Sequence, residues 1–268
     1  FQGLDIFTNP PPSSGGSLII FLLKLLEGSH NKEFTITELI DAMSTTNLAR
    51  QEICNNANDE SQYSNLFQDI IFDNYLDIFL NKKLHKKQTK QLPNRGCTTH
   101  VSIIDNKGNC ASVTTSNGEG CGYIIPGTGI MLNNMLGEED LNPQGFHNWE
   151  QRRRLTTMMA PTIITKGDKP IMIIGSGGSN RIRSAIVQVI MNFIYRKKTL
   201  KESISDPRVH LENNILYHEP NIIIPDDYYN RYVINAFEEN NLFFGGVNAV
   251  TTEDGFSDLR RGGAFSIV

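Results

Sequence analysis

The chain has 268 residues, of which 39% are hydrophobic and 20% are charged, and its net charge is −4. This length and composition allow a large core that needs no metal or disulfide framework, and they exclude a disordered protein. The 25 Lys and Arg residues against 29 Asp and Glu residues argue against a dedicated nucleic-acid-binding protein, and no apolar run approaches the ~18 residues of a membrane span.

Residues 1–97 are predicted to be mainly helical. The chain opens with Phe1 and carries no signal pattern, so we expect a piece of a longer polypeptide and assign no compartment. After an extended NPPP segment, Ser13 or Ser14 can cap a helix. The glycines that follow fit the close approach of another backbone or a ligand, and they equally fit a tight packing turn. Two further helices are predicted, over Thr35–Ile53 with Thr37 as its N-cap and over Ser64–Leu80.

A lysine-rich stretch, NKKLHKKQTKQLPNRG at residues 81–96, follows these helices. It has few apolar residues and contains a proline and a glycine, which is typical of a solvated loop where proteolytic cuts concentrate. A basic run could also contact an anionic partner, although such stretches are usually solvated. We therefore expect two parts, residues 1–97 and 98–268, joined by this linker.

Residues 98–268 are predicted to be richer in strands. The segments at 98–105 and 110–116 alternate around an NKGN turn, which predicts a β-hairpin. A glycine-rich loop follows, and GSGGSNR later leads from the wholly apolar strand Ile171–Gly175 into a helix. The other predicted strands are Pro161–Lys166, Ile215–Tyr217, Asn221–Ile224, Asn248–Thr252 and Ala264–Val268, and the predicted helices are Ile182–Tyr195 and Tyr228–Glu239. Strands and helices in separate runs predict an α+β layered fold.

Thr98, at the start of the predicted hairpin, is the first candidate for chemistry. A threonine hydroxyl is a weak nucleophile until a base takes its proton. If the chain is cut just before Thr98, the new α-amino group, with a pKa of ~7.7–8.0, can be that base. A polar linker and a small turn at residues 94–97 precede it, as such a cut requires. Simple β-propensity would also explain two threonines at a strand start.

A second candidate is the pair Gly177 and Gly178, because backbone N–H groups before a helix can hold an anion or a developing oxyanion. A GSGG segment is also a simple strand-to-helix turn. His100 points to the same face as Thr98 and is assigned a structural role. The histidines have no partner at metal-ligand spacing and the four cysteines form no CxxC pair, so no metal or other cofactor is predicted.

Seven segments together resemble the γ-glutamyltranspeptidase family. They are, in chain order, TTHVSIIDNKGN, VTTSNGEGCG, PGTGIMLNN, TTMMAPTII, IIGSGGSNRI, SDPRVH and SDLRRGG. Members of that family are N-terminal-nucleophile hydrolases with a four-layer αββα fold, and their precursor cuts itself before a threonine into a large and a small subunit. The resemblance implies that residues 1–97 end the large subunit and residues 98–268 form the small one. The rest of the sandwich, and the family's carboxylate-binding arginine, would lie upstream of this chain.

The resemblance also implies residue roles. Thr98 would attack first the Cys97–Thr98 peptide and then the substrate carbonyl. Ser116, or Thr114 if the register slips by two, would hold the new amino group. Amides of Gly178 and Ser179, or of Gly177 and Gly178 after a one-residue shift, would form the oxyanion hole. The residues that would bind the glutamyl group are Asn134, Glu138, Thr156 and Thr157, with Thr157 and Met158 as the ungapped alternative to the threonine pair.

Two positions depart from the family pattern that grips glutamate. Met135 stands where a polar amide is usual, and Asn117–Gly118 replaces the usual Leu-Asn. The sequence therefore predicts an autoprocessing γ-glutamyl amide hydrolase or transpeptidase for glutathione-type substrates. The alternatives are a related acylase for cephalosporin-type amides and a catalytically silent truncated chain. The predicted partners are the γ-glutamyl substrate, the two subunits for each other, and the upstream segment of the large subunit.

Overall fold

The computed structural model describes residues 1–29, 34–54, 62–82, 98–138, 141–142, 146–148, 152 and 154–268. The helices are α1 Ser14–Gly28, α2 Ile36–Ala49, α3 Gln62–Asn65, α4 Asp69–Leu80, α5 Arg181–Ile190, α6 Leu200–Ser205 and α7 Asp226–Tyr229. The strands are β1 Asp5–Thr8, β2 Thr98–Ile104, β3 Cys110–Ser116, β4 Thr162–Lys166, β5 Lys169–Gly177, β6 Val209–Glu212, β7 Ile215–His218, β8 Val233–Ala236, β9 Gly246–Val250 and β10 Gly255–Ser257. None of the helices in these ranges is long and apolar enough to cross a membrane.

A five-stranded antiparallel sheet organises the fold, in the order β1-β4-β5-β9-β10. Its first strand comes from the N-terminal part of the chain, where Asp5 pairs with Thr165 and Thr8 with Thr162. The strand β1 was not predicted, although an extended conformation was predicted for the NPPP segment that follows it. The two predicted parts of the chain therefore share one sheet, while their division into subunits stays a prediction.

The two faces of this sheet differ in chemistry. Met172 and Ile174 of β5 point into the main apolar core, which includes the buried residues of α1 and α5. The alternate positions, Gly175 and Gly177, face the β2-β3 hairpin instead. Apolar burial therefore fixes the sheet against the helices, and small residues let the hairpin approach the other face. The predicted mixture of helices and strands is confirmed.

The start of α1 explains why glycines follow its cap. Ser13 is the N-cap, as predicted, but its hydroxyl donates to the Met159 carbonyl 2.9 Å away rather than accepting from the helix. A Cβ atom on Gly15 would overlap the carbonyl of Met158, and one on Gly16 would overlap that of Asn9. The glycines are therefore required by close backbone packing.

The predicted helices over residues 35–53 and 64–80 are confirmed only in part. The first is capped by Thr35 rather than Thr37, because Thr35 and Glu38 form a capping box, and it ends in a π-helical turn at Arg50–Cys54. The second is interrupted at residues 66–68, so that α3 and α4 are separate. Most of the predicted linker, residues 83–96, and Cys97 lie outside the described residues.

The last third of the chain contains the largest errors. The predicted helix Tyr228–Glu239 is wrong: α7 ends at Tyr229, and β8 then runs parallel to β7. The predicted strand at 221–224 is also wrong, since no strand forms there. The antiparallel neighbour of β7 is β6 instead. No strand forms at 264–268, where the edge strand of the main sheet is β10 instead.

Candidate functional site

The hairpin brings the predicted nucleophile and its predicted hydroxyl partner together. Thr98 pairs with Ser116 across β2 and β3, and their hydroxyl oxygens lie 2.9 Å apart. The amide of Gly118 donates to the Ser116 hydroxyl at 3.0 Å, which orients it toward Thr98. Thr114, the alternative partner, lies two pairs further along the hairpin, opposite His100, and its hydroxyl is 2.8 Å from Nδ1 of His100.

The β2-β3 hairpin packs directly on two glycines of β5. A Cβ atom on Gly177 would overlap the backbone carbonyl of Thr98, and one on Gly175 would overlap the ring of His100. Ser112 donates from β3 to the Ile174 carbonyl at 3.2 Å. The absence of side chains at these two positions therefore sets the depth at which Thr98 lies on the main sheet.

His100 is a buried support of this packing. Its carbonyl accepts from the side-chain amide of Asn248 at 2.9 Å, which links β2 to β9. Ser102 donates to the Asn248 carbonyl, so it must accept from Nε2–H of His100, and Nδ1 then accepts from Thr114. Burial lowers the pKa of His100 to about 4, so the ring is neutral at pH 7.

His100 should make folding sensitive to mild acid. Its pKa is lower in the folded chain than the ordinary value of ~6.5, so its contribution is complete above pH ~6.5 and is lost as the pH falls toward 4. From pH 7 to pH 4 we expect the free energy of unfolding to fall by about 3 kcal/mol more in the wild type than in His100→Asn. Urea unfolding at both pH values measures this difference. The exposed His147 provides the control, and a His147→Asn protein that removed the same pH dependence would contradict the assignment.

The predicted oxyanion turn joins β5 to α5. Gly178 has φ +133°, and Ser179, which is buried, has φ +52°. The Arg181 amide donates to the Gly178 carbonyl at 3.0 Å and the Ile182 amide to the Ser179 carbonyl at 3.1 Å, so these carbonyls point toward the helix. Both predicted pairs of amide donors contain Gly178, and Gly177 lies directly against the Thr98 backbone.

Asn134 and Glu138 pack over Gly118, which lies close to Ser116 in the chain. A Cβ atom on Gly118 would overlap both the Asn134 amide oxygen and a Glu138 carboxylate oxygen. Asn134 also accepts from the Glu119 amide at 2.7 Å, which fixes its side chain. The structure therefore brings a carboxylate and an amide to the side of the site that adjoins Ser116.

The threonine pair predicted to bind a carboxylate lies at the start of α1. The Thr157 carbonyl accepts from the Ser14 amide at 2.9 Å, and the Thr157 hydroxyl accepts from the Met159 amide at 3.1 Å. Thr156 is half-buried beside it. The contacts of Thr157 are thus with α1 and its own segment rather than with Thr98.

A cavity of about 390 Å³ opens on the other side of Thr98, along the edge of β2 that is not paired with β3. We call it the β2-edge cavity; its lining includes Thr98, Gly177, Asn248, Asp258, Arg261 and Phe265. Sequence reasoning missed Asn248 and Arg261, and the only signal for Arg261 was its place in the SDLRRGG segment. Within the ranges that the structure describes, no cluster of His, Cys, Asp and Glu could hold a metal ion.

Comparisons with known proteins extend over the whole chain. The family model described as Gamma-glutamyltranspeptidase matches residues 1–268. The chain is 28% identical over 245 residues to the Glutathione hydrolase proenzyme of Bacillus subtilis (strain 168), covering 81% of this chain and 42% of that protein. It is 29% identical over 287 residues to the Capsule biosynthesis protein CapD proenzyme of Bacillus anthracis, covering 99% and 51%.

One solved structure is similar to this chain in fold. The crystal structure of cephalosporin acylase from Bacillus halodurans has a TM-score of 0.67 to this chain at 21% identity, and the match covers 96% of this chain and 50% of that one. The chain therefore spans about half the length of each of these three proteins.

Proposed function

The chain belongs to the γ-glutamyltranspeptidase family, and from this we propose that it carries the catalytic threonine of an autoprocessing enzyme that hydrolyses or transfers γ-glutamyl amides such as glutathione. The observation that carries the proposal is the contact between the Thr98 and Ser116 hydroxyls, 2.9 Å apart at the start of β2. The relatives named as proenzymes support the processing step. The cut itself falls before Thr98, after Cys97, which lies outside the described residues.

The proposed reaction begins at the Thr98 hydroxyl. After the cut, the Thr98 amine takes the proton of the Thr98 hydroxyl, whose oxygen then attacks the substrate's γ-carbonyl carbon. Amides of Gly178 and its neighbour, Gly177 or Ser179, would stabilise the resulting oxyanion. The protonated amine then gives its proton to the leaving nitrogen as the amide bond breaks, which leaves an ester on Thr98. Water hydrolyses this ester, or an amine displaces it.

Recognition of the glutamyl group is proposed for the side of the site that adjoins Ser116. Glu138 offers a carboxylate to the α-ammonium group, and Asn134 lies beside it over Gly118. Thr156 and Thr157 would contribute hydroxyls to the α-carboxylate, although the contacts of Thr157 place it nearer to α1.

The second candidate is an acylase for another side chain. Its specific support is local: Gly118 has no side chain, and Met135 stands at the position where the family usually has a polar amide. Both changes remove polar groups from the region that would grip glutamate. A γ-glutamyl anilide and a cephalosporin-type amide, assayed side by side, separate the two functions.

The hairpin supports the proposed partnership with an upstream half and the four-layer αββα arrangement. The side chains of His100 and Ser112 face the main sheet. Val101, Ile103 and Val113 point outward and are 50%, 53% and 52% exposed. Strands with one apolar and one polar face normally bury the apolar one. We propose that the upstream part of the large subunit covers this outward face and adds the missing helical layer.

The test compares this chain alone with a protein that also contains the upstream coding sequence. We expect the longer protein to be cut before Thr98 and to hydrolyse a γ-glutamyl anilide, because the full site is then assembled. The chain alone should keep its intact mass and be inactive. Mass spectrometry, N-terminal sequencing and release of the aniline measure these results. An uncut protein that turns the anilide over would contradict the mechanism.

A further inference from the structure

The peptide that joins Gly177 to Gly178 carries a donor for the proposed oxyanion. The Gly178 N–H is common to both predicted donor pairs, and within the described ranges of the chain it has no hydrogen-bond partner. A glycine on each side leaves this peptide weakly restrained, because glycine adopts backbone conformations that other residues avoid. Gly178 itself has φ +133°. A group outside these two glycines is therefore needed to hold the N–H in one direction.

The Ser176 side chain contacts this peptide from below, inside the protein. It is fully buried, and its hydroxyl donates to the Gly177 carbonyl at 2.8 Å. The same oxygen accepts from the amide of Gly246, the first residue of β9, at 3.2 Å. The hydroxyl thus donates one hydrogen bond and accepts another, both with the backbone. These two bonds tie the Gly177 carbonyl to the start of β9.

The direction of the Gly177 carbonyl decides the direction of the Gly178 amide. The peptide between them is trans, so its C=O and N–H bonds point in opposite directions. The Gly177 oxygen lies on the side of Gly245, where a Cβ atom on Gly245 would be 3.0 Å from it. The Gly178 N–H therefore points away from Gly245. The Thr98 backbone lies directly over Gly177, so this N–H belongs to a peptide that adjoins the proposed nucleophile.

We propose that Ser176 is a positioning residue for the oxyanion, because it holds the Gly177–Gly178 peptide with the Gly178 N–H facing the tetrahedral oxygen. The Ser176 hydroxyl acts through this peptide and does not touch substrate. Donors that are fixed before the reaction need no reorientation as the negative charge develops. This inference rests on the proposed function and adds the group that orients its oxyanion donor.

The test is Ser176→Ala in protein that contains the upstream half and has been cut before Thr98. For a γ-glutamyl anilide, kcat should fall about 10- to 100-fold while KM stays within about twofold, because a misplaced oxyanion donor is missed only in the transition state. Affinity for the glutamate analogue with a boronic acid in place of its γ-carboxyl group should fall by a similar factor. Its tetrahedral adduct with the Thr98 oxygen puts a boron-bound oxygen where the oxyanion would form.

The matched control is Ser203→Ala. Ser203 is buried on α6, and its hydroxyl has no hydrogen-bond partner in the described part of the chain. This variant should keep the wild-type kcat, KM and affinity for the boronic acid. Ser176→Cys keeps a group of similar shape that is a weak donor, so its kcat should lie between those of the wild type and Ser176→Ala. If Ser176→Ala does not fold or is not cut, Ser176→Cys decides, and a wild-type kcat in that variant would overturn the proposal.

The outcomes separate this inference from the proposed function. An unchanged kcat in Ser176→Ala would overturn the positioning role. A loss that appears in KM, with the affinity for the boronic acid unaltered, would also overturn it, because Ser176 would then support the fold without orienting the donor. In both cases the wild-type protein still cleaves the anilide, and only the inference fails. If the wild-type protein does not cleave the anilide, the proposed function fails, and the inference fails with it.

Discussion

Replacing Thr98 with alanine is expected to leave an uncut chain without measurable amidase activity, even when the upstream half is present. The change removes the oxygen that we propose to attack both the Cys97–Thr98 peptide and the substrate, so both reactions should stop together. Losses after removal of a nucleophile are large, and we expect at least about a 10³-fold fall in kcat. Thr98→Ser keeps a hydroxyl within reach of Ser116 and should retain cutting and part of the turnover.

The control for this experiment is Thr115→Ala. Thr115 lies on β3 next to Ser116, but its side chain points away from Thr98, on the outward face that the upstream half is proposed to cover, so its loss leaves the Thr98–Ser116 contact in place. It should be cut and should turn over substrate as the wild type does. Intact mass and anilide hydrolysis are measured on all three variants. Turnover that survives in Thr98→Ala would show that another group is the nucleophile.

The second large effect concerns stability rather than chemistry. Asp258→Asn is expected to lower the free energy of unfolding by about 3–5 kcal/mol, because it leaves two buried guanidinium groups without their shared carboxylate. Arg208 is 1% exposed and lies 2.7 Å from Asp258, whose Oδ2 also accepts from the Val247 amide at 3.1 Å. The loss should therefore loosen β9 together with the turn that carries Arg260.

Urea unfolding of the purified chain measures this effect. The matched control is Asp168→Asn, at the exposed turn between β4 and β5, where we expect a change within about 0.5 kcal/mol. A similarly small change in Asp258→Asn would mean that other groups, such as Glu219 beside Arg260, compensate the two arginines.

Local patterns predicted the elements whose neighbours are close in the sequence. The hairpin of β2 and β3, the strand pair β4 and β5, and α1 all follow from alternation, turns and caps. The segment Tyr228–Glu239 was predicted as a helix, yet Val233–Ala236 pairs with β7. A parallel pairing depends on a distant strand, so short-range periodicity does not reveal it.

In the candidate site, too, residues whose neighbours are close in the sequence could be predicted and the others could not. Thr98 and Ser116 could be placed opposite each other because hairpin register follows from the turn between the strands. The resemblance supplied the expected roles. Asn248 could not be found from the sequence, and Arg261 was signalled only by its place in the SDLRRGG segment, because both reach the site only after the main sheet has formed. His100, for which the sequence predicted a structural role, has hydroxyls and a glycine as its neighbours.

Gly175 and Gly177 have a consequence for the energetics of the reaction. They allow the hairpin to lock against the main sheet as the chain folds, so the location of the Thr98 hydroxyl does not wait for a ligand. In a catalyst whose nucleophile sits on a mobile loop, part of the ligand's affinity is consumed in ordering that loop. Here the corresponding loss of entropy occurs during folding, and substrate affinity remains available for lowering the barrier.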